Sequence, residues 1–356
     1  MRTVFADKIA SVAQHANLGR ELRVADDIPC EEGVLVAVRV KNNKNRYNQL
    51  ELTSGRMAKV NQGDVIVGAL GHRKALFGYS GHLPEALSVG SSVNILNIGG
   101  VLGICDSVNP EVGEPFDCEV LGTVLRFPYL GERIGVPARA GAAALDREAP
   151  LDVRGVPVIA LAGTCMDSGK TAAACAIVGR LRHHGLHVAA CKATGVSLRR
   201  DILAMQDAGA AEIMIFSDFG IVTTTRDNGP PLTRALLSAL ARHEPDVIVV
   251  ELGDGLLGAY GVDAILADAA IREAFSVVVL CANDPVAAWG GVKLLREQYG
   301  IEPAVVSGPA TDNAVGVQQV RDRLGLPAIN ALTDGSALGD RVAELIGFPN
   351  AQEAGA

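Results

Sequence analysis

The sequence predicts an α/β architecture: a C-terminal parallel sheet with helices on both faces, preceded by a small β-rich N-terminal domain that is a barrel or a sandwich. Three observations predict it. Residues 32–127 carry short apolar or alternating runs broken by Gly, Pro, Asn and Asp. From Pro157 onward, near-continuous apolar runs alternate with amphipathic stretches. Between the two halves, GERIGVPARAGAAALDREAP has little periodicity and much Gly, Ala and Pro. A chain of 356 residues also exceeds one ordinary core, so two domains are expected.

Taken in order, residues 1–31 fit a helical or a strand-like lead-in. The runs GVLVAVRVK, DVIVGAL, SVNILNI, VLGIC and CEVLGTVLRF have strand length and turn residues at their ends, which sets a first domain over 1–130. Residues 131–156 read as a linker. Over 157–350, PVIALAG, HVAACKA, EIMIFSD, DVIVVEL, SVVVLC and PAVVSG read as buried parallel strands. TAAACAIVGRLRHHG and PLTRALLSALARHE read as helices between them. The closing AQEAGA reads as a frayed tail.

Composition excludes several functions. The net charge is −8, and no basic stripe exists beyond the short Lys41–Arg46 run, which reads as a solvated turn; nucleic acid is not an expected partner. Seven dispersed cysteines form no C-x-x-C pair and no zinc spacing, a pattern that fits reduced thiols in the cytosol. MRTVFADKIA lacks the apolar core of a signal peptide, and every apolar run is short of a membrane span. A cytoplasmic chain with no membrane partner is expected. His183, His184 and His187 sit near a helix end, where positive groups are ordinary.

The chemistry concentrates at residues 163–171, GTCMDSGKT, which follow an apolar strand and open a helix. That is the context of a phosphate-binding P-loop: backbone N–H groups surround phosphate oxygens, and the helix offers its positive N-terminus. Gly163, Thr164, Asp167, Ser168, Gly169, Lys170 and Thr171 are the expected nucleotide contacts. Lys170 would reach the β- and γ-phosphates, and the Thr171 hydroxyl would ligate Mg²⁺. From Gly163 to Gly169 the loop is one residue longer than G-x-x-x-x-G-K-[ST], with Ser168 where the glycine would fall.

This longer loop resembles that of dethiobiotin synthetase, G-T-D-T-x-x-G-K-T, in a branch that includes the cobyrinic acid amide synthetases and the molybdopterin-guanine dinucleotide protein B family. Cys165 stands where that pattern has its first aspartate. VIVVELGDG, residues 247–255, is similar to the strand ending E-G-A-G-G, so the resemblance aligns Glu251, Gly253 and Gly255 with it and implies that the two glycines lie beside substrate. A carboxylate at such a strand end can hold Mg²⁺, and Asp254 is an extra carboxylate placed to share the metal or touch substrate. CKATG, residues 191–195, implies that Lys192 meets the transferred phosphoryl group or a substrate carboxylate, with Thr194 beside it. KATG, RRDILAMQDAGA and DFG also resemble a P-loop family with D-amino-acid N-acetyltransferase members, whose N-terminal domain differs. The resemblance covers residues 157–330 only.

Asn283 and Asn313 follow the last strong strands, where they could read a base edge. With no N-K-x-D guanine signature, ATP is favoured over GTP. In the N-terminal half, Arg73 lies in a Gly-rich turn, GHRKALFGYSGH, suited to an anionic small molecule. The first expectation is therefore an ATP- and Mg²⁺-dependent ligase-like enzyme that activates a carboxylate or carbamate, with Lys170, Lys192 and Glu251 as catalytic residues. The resemblance implies a homodimer. Two alternatives stay open: a GTP-binding cofactor-assembly adaptor, and an acyltransferase whose P-loop holds coenzyme A.

Overall fold

The computed structural model describes residues 1–129 and 131–348, so the AQEAGA tail lies outside the described residues. The chain divides into two units that are interleaved in sequence. The first contains Met1–Leu145 together with Val196–Arg200 and Phe216–Thr224; the second contains the rest.

In the first unit, five strands close into a ring. Phe116–Arg126 pairs with Leu35–Val40, which pairs with Val65–Leu70, which pairs with Val101–Val108. Ser92–Ile95 then pairs with both Val101–Val108 and Phe116–Arg126, which closes the barrel. Alternating β-branched residues fill it: Val36, Val38, Ile66, Val101 and Val120 are fully buried. Gly68 is required where strands crowd, because a Cβ there would lie 2.9 Å from Leu102 Cγ. The lead-in is strand-like, with Arg2–Phe5 on Glu21–Ala25 and a single 3₁₀ turn over Ser11–Ala16 between them.

The expected linker is partly structured. Val136–Pro137 pairs with Leu125–Arg126, and Ala138 is fully buried and accepts from Leu35 N at 2.9 Å. Small residues let this segment lie flat on the barrel, and a two-residue strand leaves no periodicity to read. Nor is the first unit one continuous stretch. Residues 196–200 and 216–224 join it, held to each other where Ser197 N donates to Val222 O at 2.9 Å.

The second unit is a six-stranded parallel sheet. We label its strands β1 (Val158–Gly163), β2 (Val188–Lys192), β3 (Glu212–Ile215), β4 (Val247–Glu251), β5 (Phe275–Cys281) and β6 (Val305–Ser307). The order is β3-β2-β4-β1-β5-β6, with every pairing parallel. β1, β2 and β4 are buried at every position, which is why they read as unbroken apolar runs. The main helices are α1 (Lys170–His183), α2 (Arg200–Asp207), α3 (Gly229–Ala241), α4 (Val262–Ala267), α5 (Ala269–Ala274), α6 (Pro285–Tyr299), α7 (Ala314–Leu324) and α8 (Gly335–Leu345). The β1–α1–β2 crossover runs toward one sheet edge, whereas β3–α3–β4 and β5–α6–β6 run toward the other. Right-handed crossovers in opposite directions put their helices on opposite faces.

α8 is fastened to α1 by charge. Arg180 donates to both Asp340 oxygens at 2.6 and 2.9 Å, and His184 Nε2 lies 2.6 Å from Asp340 Oδ1. The Arg180 hydrogen bond holds the Asp340 carboxyl below the usual aspartate range, with His184 adding to it. The folded value therefore lies below the unfolded one. The stabilisation is present above the ordinary carboxylate range and is lost as pH falls through it. Asp340→Asn should lower stability near neutral pH by about 1 kcal/mol and flatten the acid limb of the stability curve, as read by urea unfolding at several pH values.

Candidate functional site

The strand order makes a crevice. β1 leads to β2 across β4, and β4 leads toward β5 across β1, so the connections diverge at the C-terminal ends of β1 and β4. Such a switch point is where open α/β sheets hold ligands. β1 ends at Gly163, and α1 begins at Lys170 with Gly169 as its N-cap in the left-handed region (φ 87°). The first turn of α1 leaves N–H groups without intrahelical partners, facing the loop.

Lys170 is buried although charged. Its Nζ donates to Cys165 O at 2.9 Å, to Ser168 Oγ at 3.4 Å and to Asp254 O. The side chain lies over Gly163, where a Cβ would come within 2.7 Å of both Cδ and Nζ. Ser168 Oγ would lie nearer still, at 2.4 Å, so Gly163 is glycine because the Ser168 and Lys170 side chains cross its face.

Beside the loop stands a carboxylate at the end of β4. Glu251 is 2% exposed, and its Oε2 accepts from Thr171 Oγ1 at 3.0 Å. Its Oε1 lies 3.7 Å from Lys192 Nζ, at the end of β2, and Lys192 in turn pairs with Asp201 in the first turn of α2. Burial pushes the Glu251 carboxyl up; Lys192 acts against this. Three adjacent strands thus deliver Lys192, Glu251 and the Lys170–Thr171 pair to one end of the sheet.

The turn after β4 packs under the loop. Leu256 N donates to Gly163 O at 2.8 Å, and a Cβ on Gly255 would sit 2.9 Å from Cys165 Cα. A Cβ on Gly253 would sit 2.8 Å from Thr194 O, and the buried Thr194 hydroxyl donates to Gly253 O. Gly253, Gly255 and Thr194, expected beside substrate, thus each have a packing reason for their identity. Asp254 is buried, and its backbone carbonyl is the part that meets Lys170.

The remaining expected residues divide. Thr164 Oγ1 donates to Asn283 Oδ1 at 3.2 Å, which places Asn283 against the loop. Ser168 is fully buried within the loop, whereas Asp167 is exposed, with a left-handed φ of 54°. Asn313 instead caps α7, its Oδ1 accepting from Gly316 N at 3.0 Å, so its acceptor is engaged by the helix. A Cβ on Gly169 would lie 3.1 Å from Gly308 Cα; the turn after β6 backs the loop, and this close approach is its structural part.

Arg73 corrects the expected cationic turn. It belongs to a short strand, Arg73–Lys74, is 5% exposed, and donates to Leu96 O, to Tyr47 Oη at 2.9 Å and to Phe77 O at 3.0 Å. Its guanidinium is engaged in holding local backbone. Asp201, which the sequence shows within RRDILAMQDAGA but to which it assigns no role, is the added site residue; an aspartate opening a helix shortly after a strand-end lysine is the signal for it.

Mg²⁺ fits the donor set. Two oxygens 3.0 Å apart, Thr171 Oγ1 and Glu251 Oε2, match an ion that takes one or two protein oxygens and fills its octahedron with water and phosphate. Among the described residues, no group of three His, Cys, Asp or Glu side chains could hold a metal ion. His184 and His187 face Asp340 and Glu212 instead. No helix among the described residues is long and apolar enough to cross a membrane.

No protein-family model matches the chain, and no curated protein matches it by sequence. Solved structures with similarity include the signal recognition particle receptor FtsY from Elizabethkingia anophelis, at 14% identity over 55% of this chain and 68% of that one, with a TM-score of 0.38. Chloroplast FtsY from Physcomitrella patens is 16% identical over 58% and 68%, with a TM-score of 0.37. The hydrogenase maturation factor HypB from Archaeoglobus fulgidus is 14% identical over 54% and 91%, with a TM-score of 0.38.

Two glycines test the site's geometry. Gly163→Ala should displace the Ser168 and Lys170 side chains and cost about 1–3 kcal/mol in urea unfolding. Gly179→Ala, within α1, would bring its Cβ no nearer than 3.6 Å to Ala208 O and should be neutral or stabilising by up to about 1 kcal/mol. Equal effects at the two positions would remove Ser168 and Lys170 from above Gly163.

Proposed function

We propose that the C-terminal unit binds a nucleoside triphosphate with Mg²⁺, and that the chain uses it to activate a carboxylate or carbamate of a small molecule by phosphoryl transfer. The observation that carries this reading is the meeting of two buried lysines, Lys170 and Lys192, with the Glu251–Thr171 pair at the ends of adjacent strands. Phosphoryl transfer asks a protein mainly for position and for charge to offset the phosphate oxygens. Lys170 and the α1 N-terminus supply charge at the loop. Thr171 and Glu251 would hold the metal, which when bound offsets charge on the phosphate oxygens. Lys192, steadied by Asp201, supplies a second cation that a simple phosphate-binding loop does not need.

ATP is the proposed nucleotide, because the sequence carries no N-K-x-D guanine signature. The same reading makes the chain a homodimeric, cytoplasmic, ligase-like enzyme with an anionic small-molecule substrate. Turnover assays separate the alternatives. ADP release stimulated by substrate supports the ligase; slow intrinsic GTP hydrolysis points to an adaptor; coenzyme A binding without hydrolysis points to a transferase.

Two variants sharpen the test. Lys170→Ala should weaken nucleotide binding about 100-fold, measured by titration calorimetry, with far-UV circular dichroism unchanged. Wild-type ATP turnover in that variant would refute the phosphate-loop reading. Glu251→Gln should keep metal-free nucleotide affinity and lose Mg²⁺-dependent turnover by about 10²-fold. An unchanged Mg²⁺ dependence would take Glu251 out of the metal's reach.

A further inference from the structure

The N-terminal unit buries a second polar cluster, separate from the phosphate loop in sequence and chemistry. Ser11 Oγ, Gln14 Oε1, Glu51 Oε1 and Arg199 Nε are each buried with no hydrogen-bond partner. Glu51 is 0% exposed and Ser11 is 3% exposed. Buried polar atoms are almost always partnered, and an ionised carboxylate oxygen is among the costliest to leave bare. Four such atoms on segments that the backbone brings together mark a place that another molecule completes.

Local hydrogen bonds bring these residues together. An antiparallel bridge joins Ala10 to Leu52, and so sets Ser11 alongside Glu51. Consecutive carbonyls of one loop fix the same pair of segments: Ile98 O accepts from Glu51 N at 2.7 Å, and Gly99 O accepts from Val12 N at 3.2 Å. Ser11 and Gln14 are three residues apart in the 3₁₀ turn Ser11–Ala16, so they share one face of it. Arg199 N donates to Glu51 Oε2 at 2.8 Å, leaving the other carboxylate oxygen for the cluster. All four residues belong to the first unit.

The chemistry of the unpartnered atoms specifies the ligand. Glu51 Oε1, Gln14 Oε1 and Ser11 Oγ are three acceptors, one of them on a carboxylate. A primary ammonium presents three N–H donors and a positive charge. Arg199 Nε is a donor and calls for an oxygen acceptor on the same molecule. We infer that this cluster is a binding site for a small molecule bearing a primary ammonium group and a nearby oxygen acceptor. The ammonium sits among Ser11, Gln14 and Glu51, and the oxygen faces Arg199. This inference does not rest on the nucleotide reading, because it concerns binding in the first unit alone.

The probes are ethanolamine, which has both groups; choline, whose nitrogen has no N–H; and ethylene glycol, which has no nitrogen. Thermal unfolding and titration calorimetry of the full chain, without nucleotide, should show ethanolamine raising the Tm in proportion to occupancy, with choline and ethylene glycol inert. Ser11→Ala removes an unpartnered hydroxyl, so the ligand-free protein should be as stable as before or more so, while ethanolamine binds about tenfold more weakly. Glu51→Gln should abolish the ethanolamine response. A response of equal size to choline, no response to ethanolamine, or a Ser11→Ala protein that is destabilised yet binds ethanolamine normally would each overturn the proposal. A crystal grown with ethanolamine that shows only ordered water at the cluster would do the same.

Discussion

The C-terminal unit is organised around one buried carboxylate. Glu251 closes β4 with almost no exposed surface, and a carboxylate in that position needs partners. It has Thr171 at 3.0 Å from the start of α1 and Lys192 at 3.7 Å from the end of β2. Those contacts exist because β4 lies between β2 and β1 in the sheet. The strand order thus does chemical work: it sets a carboxylate between two lysine-bearing neighbours where the connections part.

Close approach of backbone is the second constraint. Gly163 gives way to the Ser168 and Lys170 side chains, Gly255 to Cys165, and Gly253 to Thr194. The loop after β1, the turn after β4 and the segment after β2 are therefore fitted against one another with little space between them. Two features read as substrate contacts in the sequence, Gly253 and Gly255, are accounted for by this fit. Asp201, within RRDILAMQDAGA, adds a carboxylate that holds Lys192, a positioning role that the sequence alone did not assign.

The barrel half was legible as a class and hidden in its closure. Alternating runs gave the strands, yet the ring depends on Ser92–Ile95 pairing with both Val101–Val108 and Phe116–Arg126. Pairing of that kind is non-local and leaves no periodic trace. The 131–156 stretch misleads for a related reason: Gly and Ala suit a linker, but they equally suit chain lying against a barrel, as Ala138 does. Arg73 shows the same limit for a side chain. A cation in a glycine-rich segment reads as exposed, whereas its hydrogen bonds to Leu96 and Phe77 carbonyls hold it inside.

Sequence by itself determined the period of each element and the local chemistry of the phosphate loop. A buried parallel strand must be apolar throughout, and a loop that brings backbone to phosphate needs glycine at fixed places, so both are written in consecutive residues. What consecutive residues cannot encode is which strand lies beside which. Only the tertiary structure decided that Glu251 meets Thr171 and Lys192, that Asn313 caps a helix, and that 196–200 and 216–224 join the first unit. Each of these is settled by packing and hydrogen bonding between segments far apart in the chain, where burial leaves a polar group only the partners that the fold brings to it.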